Sequence, residues 1–148
     1  MADASSLAGI LGRFPQRLTE ASESMSHSIL IVEDDAEVRH LIRHTLASSG
    51  YDVSEASNGA EAVRTIKATP FDLVITDILM PEQDGLETII FLRRNAPNTK
   101  IIAISGTQNE LFLRDARGLV AGATLTKPFQ PAALLDAVHR QLQPVGVG

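Results

Sequence analysis

Five short runs, "SILIVE" (28–33), "YDVSEAS" (51–57), "FDLVITD" (71–77), "KIIAIS" (100–105) and "ATLTK" (123–127), alternate with five segments of helical spacing. The first is apolar at successive positions without alternation, the pattern of a strand buried on both faces. The helical segments are "DAEVRHLIRHTLASSG", "NGAEAVRTIKAT", "DGLETIIFLRRN", "QNELFLRDARGLV" and "QPAALLDAVHRQLQ". A helix between each pair of strands predicts an α/β fold, a doubly wound five-stranded parallel sheet with five flanking helices and right-handed crossovers. Gly50 and Pro70 stop the first two helices, and Pro131 stands in the first turn of the last. The first helix is expected to turn Val38, Leu41, Ile42, Thr45 and Leu46 inward.

Length and charge narrow the class. The 148 residues, 44% hydrophobic, suit one domain with a full core. Net charge is −5 from 13 Lys and Arg against 18 Asp and Glu, without a basic stripe, so no direct nucleic-acid binding is expected. The basic end of "FLRRNAPNTK" suits a helix C-terminus. With no cysteine, disulfides and thiolate metal sites are excluded. No apolar run approaches the ~18 residues that span a bilayer, and the first 24 residues lack a signal-peptide pattern. A soluble cytoplasmic protein without membrane contact is the expectation. Residues 1–27 read as an extension to a domain over 28–143, with 144–148 as a short tail. Within the extension Leu7, Ile10, Leu11 and Phe14 fall at helical spacing. That leaves a disordered extension, a short amphipathic docking helix, and a folded unit starting near Met25 all open.

Ligands of such sheets bind beyond the carboxyl ends of the strands. Those ends carry Glu33, Asp34 and Asp35 after the first run, Asp77 at the third, Ser105 at the fourth and Lys127 at the fifth. The second run, ending "EAS", offers nothing evident. Neighbouring carboxylates raise one another's pKa values unless a cation relieves them, and oxygen-only ligands suit magnesium. Lys127 could hold a phosphoryl oxygen as a point charge, and Ser105 could donate to another. The set looks built around a phosphoryl group, with a carboxylate placed to carry it as an aspartyl phosphate.

"ILIVEDDAEVR", "FDLVITDILMPEQDG", "IIAISG" and "LTKPF", in that order and on those strand ends, resemble the response regulator receiver domain of two-component signal transduction. The resemblance covers residues 28 to about 142 and implies the flavodoxin-like strand order 2-1-3-4-5. It implies that Asp77 is the phosphoacceptor and that Glu33, Asp34, Asp77 and the Leu79 carbonyl hold Mg2+. Lys127 would pair with the phosphoryl group and Ser105 would be the switch hydroxyl. Asp35 is expected to be a helix N-cap. Lys127–Pro128 is expected to be cis. The implied donor is a phosphohistidine of a sensor histidine kinase or a histidine phosphotransfer protein. The implied output is a protein contact through the helix over 108–120, the fifth strand and the last helix, with a phosphorylation-linked homodimer left open. No enzymatic activity beyond self-catalysed phosphotransfer and autodephosphorylation is expected.

Two departures from the family pattern stand out. Thr124 stands three residues before Lys127, where an aromatic switch is usual, so output is expected through backbone shifts after Ser105 rather than ring rotation. Leu79 and Thr107 flank the acceptor, and apolar Leu79 cannot orient an attacking water, which predicts a long-lived phosphoryl group. Rival readings are weaker. A flavin-binding protein needs a glycine- and hydroxyl-rich phosphate loop where this chain has "VEDDAE". An aspartyl-phosphate phosphatase usually places an acid where Leu79 stands. His40 and His44 have metal-pair spacing but read, with Glu37, as a solvated face. A stand-alone regulator and a receiver excised from a hybrid histidine kinase or larger regulator both remain open contexts.

Overall fold

A computed structural model describes residues 27–78, 85–106 and 122–143. Of the expected extension over 1–27 only His27 is described, and the helix over 108–120, the tail over 144–148 and Leu79 and Thr107 lie outside the described residues. Among the described residues nine elements follow in order: β1 (Ser28–Val32), α1 (Ala36–Ala47), β2 (Asp52–Ala56), α2 (Gly59–Ala68), β3 (Leu73–Asp77), α3 (Gly85–Asn95), β4 (Lys100–Gly106), β5 (Ala123–Lys127) and α4 (Pro131–Leu142). The strands form one sheet in the order β2-β1-β3-β4-β5, as expected. Every neighbouring pair is parallel.

Successive residues of the central strands point to opposite faces, and both faces are filled. Ile29 and Ile31 of β1, Leu73 and Ile75 of β3, and Ile102 and Ile104 of β4 pack with Ile42 and Leu46 of α1 and Leu134 and Val138 of α4. Their alternates Leu30, Val32, Val74, Ile101 and Ala103 pack with Ala62 of α2 and with Ile89 and Leu92 of α3. Continuous apolar runs are therefore what this architecture requires. Edge strand β2 is apolar only in part and correspondingly half-buried.

Local chemistry sets the helix starts. Asp35 accepts from the backbone N–H groups of Glu37 and Val38 at 2.9 and 3.3 Å, the N-cap expected of it. Asn58 caps α2 through the Glu61 N–H, while Glu61 accepts from the Ser57 N–H. Pro131 occupies the first turn of α4, where its missing N–H costs nothing. Gly50 turns the chain out of α1 at a φ of 94°, a left-handed conformation that favours glycine. The Lys127–Pro128 peptide is cis, as expected. One inner-face assignment fails. Leu41 is 46% exposed, whereas Ile42 and Leu46 are fully buried and Val38 and Thr45 half-buried. Successive residues lie about 100° apart around a helix, so Leu41 falls off the arc that Ile42 centres on the sheet.

Candidate functional site

The parallel sheet brings the predicted residues to one edge. Val32 pairs with Thr76, so Glu33 leaves β1 level with Asp77, the last residue of β3. Asp77 pairs with Ile104, and Lys127, the last residue of β5, pairs with Gly106. Neighbouring strands are ~4.8 Å apart, so β5 stands roughly 10 Å from β3 and only a long side chain crosses β4. Lys127 does so. Its Nζ lies 2.8 Å from Asp77 Oδ2 and 3.0 Å from Glu33 Oε1.

Burial decides the electrostatics. Glu33 is 1% exposed and Asp77 6%. Burial first, and the Asp77 charge second, push the Glu33 carboxyl up from 4.5 to about 7, although Lys127 and the Asp35 N–H pull the other way. Burial opposes the Lys127 charge, but the two carboxylates hold its pKa above the ordinary lysine value. The Asp35 N–H donates to Glu33 Oε2 at 3.1 Å. Glu33 Oε1 is buried and off hydrogen-bond alignment, touching the ammonium as an ion pair only. Asp34 is exposed beside them.

Carboxylate oxygens of Glu33, Asp34 and Asp77 lie within 4.8 Å of one another, the one such cluster among the described residues. Three hard oxygen donors at this spacing, one of them buried without an aligned donor, fit a divalent cation such as Mg2+. Ser105 is fully buried on β4, pairing with Thr126, and its hydroxyl reaches the Gly106 carbonyl at 3.4 Å. Thr124 sits half-buried opposite Ala103. His40, His44 and Glu37 are all exposed, as expected of a solvated face. An apolar cleft of about 340 Å³, lined by Ile66, Phe71, Val74, Phe91 and Leu92, lies between α2 and α3 at the opposite end of the sheet, where β3 begins.

β2, whose end offered nothing evident in the sequence, carries an acid bonded to α1. Glu55 accepts from Arg39 Nε at 2.9 Å and from Arg43 Nη1 at 2.7 Å. Arg39 Nη1 also donates to the Glu33 carbonyl at 2.8 Å. The available signal was two arginines four apart on one helix face, a spacing that lets both reach one acid.

The family model of the response regulator receiver domain matches residues 29–139. A chemotaxis protein CheY of Thermotoga maritima is 35% identical over 117 residues, spanning 78% of this chain and 98% of that one. The sensor kinase CckA of Brucella abortus is 34% identical over 122 residues, 81% of this chain but 13% of the kinase. The solved structure of the chemotaxis response regulator CheY4 of Vibrio cholerae superposes with a TM-score of 0.72 at 30% identity, covering 79% of this chain and 99% of that one.

Proposed function

Because the chain belongs to the response regulator receiver family, we propose that it accepts a phosphoryl group onto Asp77 from a phosphohistidine of a sensor kinase or phosphotransfer protein. The observation that carries this reading is the convergence of Lys127 on Asp77 and Glu33 at 2.8 and 3.0 Å, from segments far apart in sequence. Rigid β3 fixes the Asp77 carboxylate at the sheet edge as the nucleophile. The P–N bond to the donor imidazole breaks as the P–O bond to Asp77 forms, and the departing imidazole keeps the bonding pair and takes up a proton. Lys127 exchanges a carboxylate contact for a phosphoryl oxygen and offsets charge there. Glu33, Asp34, Asp77 and the Leu79 carbonyl would hold Mg2+. Once bound, the cation would supply positive charge to the phosphoryl oxygens. Ser105, one strand over and buried, is the hydroxyl that would follow the new charge.

Output is a shift in a protein-contact surface over residues 108–120, β5 and α4, biased by the charge at the strand ends. With Thr124 in place of a ring, backbone movement after Ser105 carries it. The protein turns over no substrate of its own beyond autodephosphorylation, and its setting is the cytoplasm. Both architectures among its relatives, a domain filling most of the protein and one occupying a small part of a kinase, suit this chemistry.

Labelling by a phosphohistidine donor should be magnesium-dependent, hydroxylamine-labile and limited to one group per chain, and Asp77→Asn should abolish it. Full labelling of that variant at another residue would refute the assignment, and sustained phosphate-ester turnover would favour a phosphatase instead.

A further inference from the structure

The acidic loop after β1 is held by charges that the transfer chemistry does not use. Arg39, closing the first turn of α1, has a side chain only 16% exposed and engages two partners at once. Its Nη1 donates to the Glu33 carbonyl at 2.8 Å, and its Nε donates to Glu55 of β2 at 2.9 Å. Arg43 grips the other Glu55 oxygen at 2.7 Å from a half-exposed position. The Glu33 N–H is fixed as well, donating to the Ala56 carbonyl at 3.1 Å. Residue 33 is therefore pinned at its N–H, at its carbonyl and, through the Asp35 N–H, at its side chain. Asp35 is pinned in turn by capping α1. Asp34, between them, presents an exposed carboxylate from a peptide whose orientation its neighbours dictate.

We propose that Arg39, oriented by Glu55, is a positioning residue for divalent-cation binding: its hold on the Glu33 carbonyl sets the Glu33–Asp34 peptide so that both carboxylates face one site. This rests on the reading of those acids as a cation site. The bonding requires arginine, because one planar fork serves the carbonyl and the carboxylate together, whereas a lysine ammonium is a single point. A loop released from Arg39 must be ordered when the cation arrives, and that ordering lowers affinity. Loss of groups that orient metal ligands typically weakens binding ~10- to 100-fold.

The direction of the effect separates positioning from plain electrostatics. Arg39 is a positive charge close to the acids, so removing it should tighten cation binding if charge alone mattered. Positioning requires the opposite. A mere strap between α1 and β2 would lower folding stability and leave cation affinity unchanged.

The test is calorimetric titration of Mg2+ into the full chain, native and as Arg39→Ala, Glu55→Gln and Arg39→Lys, alongside thermal unfolding in chelator. Arg39→Ala is expected to raise the Kd about 10-fold. Arg39→Lys should stay well short of native affinity, and Glu55→Gln should weaken binding about threefold, because Arg39 keeps only a neutral partner. Labelling of Arg39→Ala should need correspondingly more magnesium for half-maximal rate yet reach the native maximum. An unchanged or lowered Kd in Arg39→Ala overturns the inference. If that variant does not fold, an unchanged Kd in Glu55→Gln overturns it instead. Failure of the native protein to bind magnesium would strike at the cation site itself, a result distinct from either.

Discussion

Glu33→Gln should remove most of the pH dependence of stability that the fold acquires between mildly acidic and neutral solution. Burial and the Asp77 charge raise the Glu33 carboxyl from 4.5 to about 7. Across that window the folded chain keeps a proton that the unfolded chain has released. Stability from this group is fully present below 4.5, falls as pH rises, and reaches its floor above about 7. Each pKa unit is worth ~1.4 kcal/mol, so the loss is about 3 kcal/mol. For a chain of this length that is a fall in Tm of roughly 6–12 °C. Glu55 and Glu61 are held below the ordinary carboxylate value and Lys127 above the ordinary lysine value, so none of them titrates in this window. Thermal or urea unfolding in chelator from pH 5 to 8 measures the slope, and the difference between native and Glu33→Gln proteins isolates the one group. The amide oxygen of the substituted side chain can still accept from the Asp35 N–H, so the fold should survive the change. Added magnesium at pH 8 should restore stability to the native protein more than to the variant, because it binds the folded state only. Equal slopes in the two proteins would refute the reasoning.

Lys127→Ala leaves two buried carboxylates without their common cation, and breaking such a pairing typically costs ~3–5 kcal/mol. Unfolding in chelator at pH 8 should register about 3 kcal/mol of that, with a smaller loss at pH 5, where Glu33 is protonated. The same variant should still bind magnesium in calorimetry but be labelled far more slowly, and an unchanged labelling rate would remove Lys127 from the chemistry. Leu79→Asn should speed loss of the phosphoryl group, since an amide can orient water where an apolar side chain cannot; single-turnover decay of the labelled protein measures it, and an unaltered lifetime would sink the idea.

The topology and most of the site were legible because both rest on periodicity and chain direction. Ile29 and Leu30 are buried on opposite faces, and only a strand covered twice makes adjacent residues equally apolar. A parallel sheet puts all strand ends on one edge, so Asp77 and Lys127 could be placed together although they are 50 residues apart. What escaped notice has no period. Leu41 is apolar and one residue from the inner stripe, and whether it is covered depends on where the helix axis settles over the sheet. The Arg39–Glu55 contact joins a helix to an edge strand 16 residues on, and a charged pair looks the same in sequence whether it is solvated or holds a loop.

The Lys127 contact bears on how the site must work. An ammonium held by two carboxylates offsets half of their charge, and a divalent cation on the same oxygens would offset all of it. A cation seated on those same oxygens would compete with the ammonium for them. Arginine would be a poor choice at residue 127, because a fork bonded to both acids at once would be slow to surrender either. A lysine ammonium has no preferred plane and changes partner by a small rotation of its stem. On the proposed reading, magnesium would then aid the phosphoryl site in two ways, by its own charge and by leaving Lys127 available for the incoming oxygens. It follows that the Lys127 charge is worth less to stability once magnesium is bound than in chelator. The stability cost of Lys127→Ala should accordingly shrink as magnesium is added, and a cost independent of magnesium would show that the two cations do not share those oxygens.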